Sequence, residues 1–253
     1  MSDSLLSFRG VGHRYGSDGA ALADVDFDVA AHELAVIGPS GSGKSTLLRA
    51  AAGLLLPTSG EVRLDGAELT GVAPNLGMVF QDYGRSLFPW LRVLGNVEFG
   101  LPKSIPSHER RDRSMRALAS VGLDTNADRY PWELSGGMQQ RVAIARALVS
   151  GPELLLMDEP FGSVDAQTRA DLEDLVSRLH GELGFTSLIV THDIDESVYL
   201  ADRVLVLSEA PGRVTAEYEI DLPRPRDQIN TRSSPRFTEL RREVASRMLR
   251  RQN

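Results

Sequence analysis

The order of apolar and polar positions predicts short strands that alternate with helices. Val25, Phe27 and Val29 alternate with aspartates, which is typical of a strand with one solvent-facing side. Leu6–Tyr15 predicts a neighbouring strand, and Glu61–Leu64 predicts a strand that a turn follows. Further strands are predicted at 33–37, 76–80, 154–157, 188–190 and 204–207. Strands that alternate with helices indicate an α/β fold with a mainly parallel sheet.

The helical pattern is concentrated in three parts of the chain. Strong helix formers at 47–52 predict a helix directly after a glycine-rich loop. From Asp82 to about Leu134 strand signals give way to a charged helix that Ser107 is expected to cap. The apolar positions of that helix include Met115, Leu118 and Val121. One face of a later helix is marked by Leu172, Leu175, Val176, Leu179 and Leu183.

The end of the chain has a different pattern from the sheet region. Pro211-Gly212 predicts a hairpin turn, and Pro223 with Pro225 predicts a stiff polar connector. A terminal helix then carries one apolar stripe, formed by Phe237, Leu240, Val244 and Met248. That stripe is expected to pack on its own domain or, as the alternative, on a second subunit.

Composition narrows the class of protein. A chain of 253 residues is long enough for one large α/β domain. The net charge of −7 disfavours a general role on nucleic acid. The absence of cysteine excludes disulfides and thiolate sites. Met1–Ser4 lacks signal-peptide features and no apolar run has membrane-spanning length, so a cytoplasmic protein is predicted, with any membrane association through a partner.

A phosphate-binding loop is the strongest motif in the chain. The pattern G-x-x-x-x-G-K-[ST] is matched by Gly38-Pro39-Ser40-Gly41-Ser42-Gly43-Lys44-Ser45-Thr46. Its glycines allow consecutive amides to point at one anion, and the following helix directs its positive dipole end there. Lys44 is expected on the β- and γ-phosphates and the Ser45 hydroxyl on Mg²⁺. A Gly/Ser linker is the alternative, which the flanking strand and alanine-rich helix disfavour.

Two carboxylates end the apolar strand at 154–157. Asp158 fits an Mg²⁺ ligand, because the end of a strand beside a phosphate-binding loop is where such an acid belongs. Glu159 fits a general base that polarises the attacking water. The alternative is a solvated helix start.

A second helix start could also bind an anion. In Leu134–Arg141, Ser135 stands at the cap position and is followed by Gly136 and Gly137. Taken alone, this run is an ordinary helix cap. Combined with the phosphate loop and the carboxylate strand, it points to one family.

From about Leu5 to Ala210 the chain resembles the ATP-binding subunit of ABC transporters, with the family's motifs in the family's order. The resemblance identifies Gln81 with the Q-loop glutamine, Asp165 with the D-loop aspartate and His192 with the switch histidine. Tyr15 falls where the family places an aromatic on adenine. Three of these residues have an alternative without a nucleotide. Tyr15 could be an ordinary strand aromatic, with Phe8 or His13 as the residue on adenine. Gln81 could be a surface amide, and His192 could cap a helix. The D-loop reads Ser163-Val164-Asp165 where Ala-Leu-Asp is usual.

The resemblance implies a P-loop NTPase fold of ABC type, α/β, with a mainly parallel sheet core, an antiparallel β part and a helical subdomain. One ATP-binding domain is expected over 1–253, with a RecA-like core at about 1–81 and 150–210. The helical subdomain is expected at about 82–149 and a C-terminal extension at about 211–253.

The same resemblance implies how such a subunit works. ATP and Mg²⁺ are the expected cofactors, with Ser45, Gln81 and Asp158 on the metal. Two copies are expected to pair head to tail, each ATP lying between the phosphate loop of one copy and Ser135–Gly137 of the other. The expected partners are a transmembrane permease and, indirectly, a solute-binding protein, with no nucleic acid. The location implied is the cytoplasmic face of the inner membrane.

Three short stretches resemble one importer branch within the family. They are Phe88-Pro89-Trp90, Ser208–Arg213 and Leu222–Arg226, and the branch imports nitrate, sulfonates and taurine. The apolar cluster around Trp90 is expected to dock the permease or, as the alternative, to fill the helical core.

Two readings from other classes stay open at this stage. A DNA-associated ABC ATPase would carry a long coiled coil, yet only 91 positions separate Lys44 from Ser135. A regulatory module that holds ATP without hydrolysing it is disfavoured by the presence of Glu159 and His192.

Overall fold

The computed structural model describes residues 4–16, 19–30, 33–73 and 75–249. The strands are β1 Leu6–Arg14, β2 Ala20–Val29, β3 Glu33–Ile37, β4 Ser59–Leu64, β5 Ala67–Glu68, β6 Leu76–Val79, β7 Leu154–Asp158, β8 Thr186–Thr191, β9 Arg203–Leu207 and β10 Val214–Glu219. The α-helices are α1 Lys44–Ala51, α2 Tyr83–Ser86, α3 Val93–Glu98, α4 Ser107–Ser120, α5 Gly136–Leu148, α6 Ala166–Leu183, α7 Ile194–Leu200, α8 Asn230–Ser233 and α9 Pro235–Leu249.

The central sheet has the strand order β10-β9-β3-β8-β7-β6. Its strands run parallel from β9 to β6, and β10 alone pairs antiparallel, with β9. β7 and β8 are buried along their whole length, which explains their uninterrupted apolar sequences. The parallel arrangement brings the ends of β3, β6, β7 and β8 to one edge, so the segments that follow these strands meet there.

A second, antiparallel sheet of order β2-β1-β4-β5 covers one face of the central sheet. Along β3 the side chains alternate between two cores. Leu34 and Val36 pack with α1 and the antiparallel sheet, whereas Ala35 and Ile37 pack with the helices on the other face. The predicted α/β architecture with an antiparallel part is therefore confirmed.

Four helices, α2 to α5, lie between β6 and β7 in the chain, where the sequence predicts a helical insertion. The prediction that Ser107 caps its helix is wrong, because Pro106 takes the cap position and Ser107 is the first residue of α4. Leu118 and Val121 are buried as expected, and Met115 packs against the same core. The domain boundaries given above stay predictions. Among the described residues, no helix combines the length and apolarity needed to cross a membrane.

The C-terminal segment is docked on the same chain. The Arg226 guanidinium is buried and donates hydrogen bonds to the carbonyls of Tyr199 and Ala201, at 2.9 and 2.8 Å. The connector is therefore fixed to the end of α7 and is more than a polar spacer. Phe237, Leu240 and Val244 are buried in the core of this chain, which decides against the second subunit as their partner. Leu183, expected on the buried face of α6, is 57% exposed because it lies in the last turn before Gly184 ends the helix.

Candidate functional site

The phosphate-binding loop follows β3 and turns into α1 as predicted. Gly41 and Gly43 have φ values of +79° and +89°, a region that favours glycine. Gly43 stands at the cap position of α1 and, lacking a side chain, leaves the first amides of that helix free for a ligand. Lys44 is buried, and its ammonium donates to the carbonyls of Gly38 and Pro39 at 2.8 and 3.1 Å. The positive charge is therefore held against the loop.

Close packing gives two of the loop glycines a further role. A Cβ built on Gly38 would lie 2.8 Å from Ser42 Oγ and 3.1 Å from Leu207 Cβ. A Cβ on Gly43 would lie 2.6 Å from the carbonyl oxygen of Ala21 on β2. The loop is thus clamped between β2 and the end of β9, so these glycines serve packing as well as the turn.

Asp158 ends β7 beside the start of α1. Its Oδ1 accepts a hydrogen bond from Ser45 Oγ at 3.3 Å. Burial raises the pKa of Asp158, and the Ser45 hydrogen bond opposes that shift. Burial likewise lowers the pKa of Lys44, against the attraction of Glu159 and Asp158. The two oxygens of Ser45 and Asp158 form the kind of hard-donor pair that Mg²⁺ prefers.

Glu159 joins three segments at the sheet edge. Its Oε2 accepts from Gln81 Nε2 at 3.0 Å and lies 3.2 Å from His192 Nδ1. The Glu159 backbone has a φ of +42°, which is uncommon for a residue with a side chain. The structure therefore brings Gln81, Glu159 and His192 together.

Tyr15 is the one of the three proposed adenine aromatics whose ring is open to solvent. It is 42% exposed, whereas Phe8 and His13 are buried. Its hydroxyl lies 3.2 Å from Thr46 Oγ1, so the ring stands next to the phosphate loop. His13 contacts the Tyr15 ring edge-on at 4.6 Å between centroids. The geometry favours Tyr15 over the two alternatives.

The signature segment forms a second group, with the D-loop. Ser135 Oγ caps α5 by accepting from the amide of Met138 at 3.3 Å. A Cβ on Gly137 would lie 2.4 Å from Thr168 Cγ2. Thr168 in turn donates from its amide and hydroxyl to Asp165, and these hydrogen bonds lower the pKa of Asp165. Ser135, Gly136, Gly137 and Asp165 are thus neighbours, with Ser135 and Gly136 exposed.

Two contacts that hold the segments next to Glu159 and His192 are not predicted by the sequence. The buried Gln140 amide, within the signature run, donates to the carbonyl of Pro160 at 2.6 Å and ties α5 to the loop after Glu159. Asp193 caps α7 and pairs with Arg169 of α6 at 3.0 Å, directly after His192. A glutamine among apolar helix positions was the available signal for the first contact. The second contact joins distant segments and left no signal in the sequence.

The loop residues fit a nucleotide and a divalent cation. Ser42 Oγ is buried within the loop and has no hydrogen-bond partner in the described part of the chain. Lys44 supplies a buried positive charge for phosphate oxygens. Ser45 and Asp158 supply oxygen donors for Mg²⁺, with Gln81 reaching the same edge through Glu159.

Comparison with known proteins gives consistent matches. A family model described as "ABC transporter" matches residues 22–162. The chain is 48% identical over 231 residues to an aliphatic sulfonates import ATP-binding protein of Xanthomonas axonopodis pv. citri, with 90% of each chain covered. It is 42% identical over 234 residues to a nitrate import ATP-binding protein of Synechococcus elongatus, covering 90% of this chain and 35% of that relative. A dimeric ATP-binding cassette solved in a post-hydrolysis state with ADP and Pi has a TM-score of 0.74 at 33% identity, covering 85% of this chain and 98% of that one.

Proposed function

The chain belongs to the ABC transporter family as an ATP-binding subunit with ATPase activity, and on this premise we propose that it powers the import of a small solute through a separate membrane permease. The nitrate, sulfonate and taurine class is the solute class we favour. One observation carries the assignment of the site. Gln81, Glu159 and His192 meet at the sheet edge that also carries the phosphate loop.

That geometry supports the roles that we propose for the residues. Lys44 and the loop amides hold the phosphates of ATP, and Tyr15 lies against the adenine. Glu159 accepts the proton of the attacking water, while Gln81 and His192 orient its carboxylate. Ser45, Asp158 and Gln81 would hold Mg²⁺, which would supply charge neutralisation on the phosphate oxygens. His192 also contacts the γ-phosphate region, which makes the site responsive to hydrolysis.

The exposed signature implies a second copy. Ser135 and Gly136 are exposed at a helix N-terminus that points its positive dipole end outward. We propose that this terminus completes the ATP site of a partner copy in a head-to-tail homodimer. Binding then closes the dimer, and hydrolysis reopens it.

The permease site lies next to Gln81. Trp90 and Phe99 are 70% and 62% exposed, which argues against the alternative that Trp90 fills the helical core. Phe88 joins them, with ring centroids 5.4 Å from Trp90 and 4.5 Å from Phe99. The cluster borders an open groove of about 570 Å³ between β6 and α5. Exposed aromatic clusters of this kind commonly mark a partner site.

The other class of ABC ATPase is not supported. The longest helix described between Lys44 and Ser135 is α4, with 14 residues, which is no coiled coil of the kind that a chromosome-associated ATPase carries. Partnership with a permease implies a peripheral position on the cytoplasmic side of the membrane. A solute-binding protein would act on the permease and only indirectly on this chain.

A Trp90→Ala variant tests the proposal. The isolated variant is expected to keep its melting temperature and ATPase activity, because the side chain is exposed. In membrane vesicles, the variant is expected to assemble only weakly with the permease, and transport of the solute is expected to be lost. Ile229→Ala is the matched control, since Ile229 is 77% exposed and lies in the C-terminal segment. A drop in stability of roughly 3–5 kcal/mol in isolated Trp90→Ala would contradict the docking role.

A further inference from the structure

The turn between β9 and β10 reaches the phosphate-binding loop. A Cβ built on Gly212 would lie 2.0 Å from the carbonyl oxygen of Ser42. The Gly212 amide donates to the carbonyl of Ala21 at 2.9 Å, and its own carbonyl accepts from the amide of Ala23 at 3.0 Å. Gly212 is thus inserted between β2 and the loop, with its Cα facing the loop backbone.

The contact acts on one peptide group of the loop. The peptide between Ser42 and Gly43 is trans and planar, so the Gly43 N–H points to the side opposite the Ser42 carbonyl. On one side that carbonyl meets Gly212. On the other side Gly43 is the cap residue of α1. Its amide is one of those that the proposed ATP site directs at the phosphates. Whatever fixes the carbonyl therefore fixes the direction of the amide.

The turn is closed by its own side chains, which keeps Gly212 in place. Ser208 Oγ accepts from the Arg213 amide at 3.0 Å, and the Ser208 amide donates to the Arg213 carbonyl at 2.9 Å. The Arg213 guanidinium lies 3.6 Å from the Asp24 carboxylate on β2. These contacts use residues of the Ser208–Arg213 stretch that the ATPase site itself does not employ.

We infer that Gly212 is a positioning residue for ATP binding, because its missing side chain lets the β9–β10 turn hold the Ser42–Gly43 peptide in the phosphate-binding orientation. The inference rests on the ATP site proposed above. It assigns the Ser208–Arg213 turn a role in nucleotide affinity. It assigns the turn no effect on the arrangement of Gln81, Glu159 and His192.

The test is Gly212→Ala beside Gly71→Ala. Neither glycine has a φ in the left-handed region, so alanine strains the backbone dihedral at neither position. The two differ in space, because a Cβ on Gly71 meets nothing within 4 Å whereas a Cβ on Gly212 meets the Ser42 carbonyl. Gly212→Ala is expected to raise the KM for Mg-ATP and the Kd for a fluorescent ATP analogue about tenfold, with kcat within twofold. A merely structural defect would lower kcat through loss of active protein and leave KM unchanged. Gly71→Ala is expected to match wild type in both constants.

Two further variants make every outcome decisive. Lys44→Ala reports on the ATP site itself. If Lys44→Ala binds nucleotide normally, the site proposal fails; if it loses binding while Gly212→Ala matches Gly71→Ala, only the role of Gly212 fails. Should Gly212→Ala not fold, Ser208→Ala opens the turn from the exposed side. That variant is expected to raise KM about threefold at constant kcat, and an unchanged KM would overturn the inference.

Discussion

The two anion-ready helix starts of this chain, at α1 and at α5, are built in opposite ways. At α1 the cap residue is Gly43, which has no side chain to occupy the helix amides, and the neighbouring Ser42 and Lys44 are buried. At α5 the cap residue is Ser135, whose hydroxyl takes the Met138 amide, and the terminus is exposed. The first start buries these neighbouring side chains and leaves its helix amides free for a ligand. The second is stable by itself and needs another surface to become a site.

The difference fits the proposed shared ATP site, of which each chain would carry half. A loop whose amides are free is suited to bind phosphates by itself. An exposed, self-capped terminus adds its dipole only when a partner brings the nucleotide to it. We therefore expect the affinity for ATP and the chemistry of its hydrolysis to depend on the residues on the α1 side of one copy. Repeated turnover should also require the α5 side of the other copy.

The largest expected effect tests the chemistry on the α1 side. Glu159→Gln removes the proposed general base while keeping the shape of the side chain, so ATP binding should persist and hydrolysis should fall by about 10²-fold or more. Steady-state ATPase assays and ATP-analogue titrations measure the two quantities. Glu153→Gln is the matched control, since that exposed carboxylate precedes the opposite end of β7. Near-normal turnover in Glu159→Gln would remove Glu159 from the mechanism.

The next effect tests whether the two helix starts work across copies. Lys44→Ala and Ser135→Arg should each be inactive alone. In a mixed dimer, one site carries both lesions and the other carries neither. An equal mixture should therefore recover about a quarter of wild-type ATPase activity, if copies pair at random in a two-fold dimer and the sites act independently.

The control for this mixture is dilution. ATPase activity of the mixture and of wild type should fall together as the protein is diluted below the dimer dissociation constant, because monomers lack a complete site. Full activity of wild type as a monomer at high dilution would contradict the shared site. Failure of the mixture to recover while both single variants still dimerise would contradict the head-to-tail arrangement.

The sequence predicts one side of this comparison better than the other. Glycine and lysine positions in the phosphate loop have a fixed chemical reason, and strand positions follow from buried apolar runs, so the α1 side is predictable residue by residue. The packing of Gly212 on Ser42 could not, because 170 positions separate the two residues and no local pattern marks the contact. The prediction that Ser107 caps α4 is wrong for a local reason, because the preceding Pro106 takes the cap position.

The smallest expected effect concerns a polar side chain that is buried without a ligand to bind, so that its burial only lowers the stability of the fold. Glu196 of α7 is 3% exposed, and its Oε1 has no hydrogen-bond partner in the described part of the chain, like Ser42 Oγ in the loop. Burial raises the pKa of Glu196 well above its usual value, and the nearby carboxylates of Glu173 and Asp193 add to the shift. A raised carboxyl pKa means that the folded state holds this proton more tightly than the unfolded state.

The sign of the pH dependence follows from that difference. Stability contributed by the protonated Glu196 is complete below the unfolded pKa of about 4.5 and is lost as pH rises toward the folded pKa. Glu196→Gln cannot ionise, so it should melt a few degrees higher than wild type at pH 8, with a smaller difference at pH 5. A gain of about 1 kcal/mol corresponds to roughly 2–4 °C for a chain of this size. Thermal melts at both pH values measure the effect, and Glu153→Gln, an exposed carboxylate, should show neither gain nor pH trend. A lower melting temperature for Glu196→Gln at pH 8 would instead mean that the ionised carboxylate stabilises the fold.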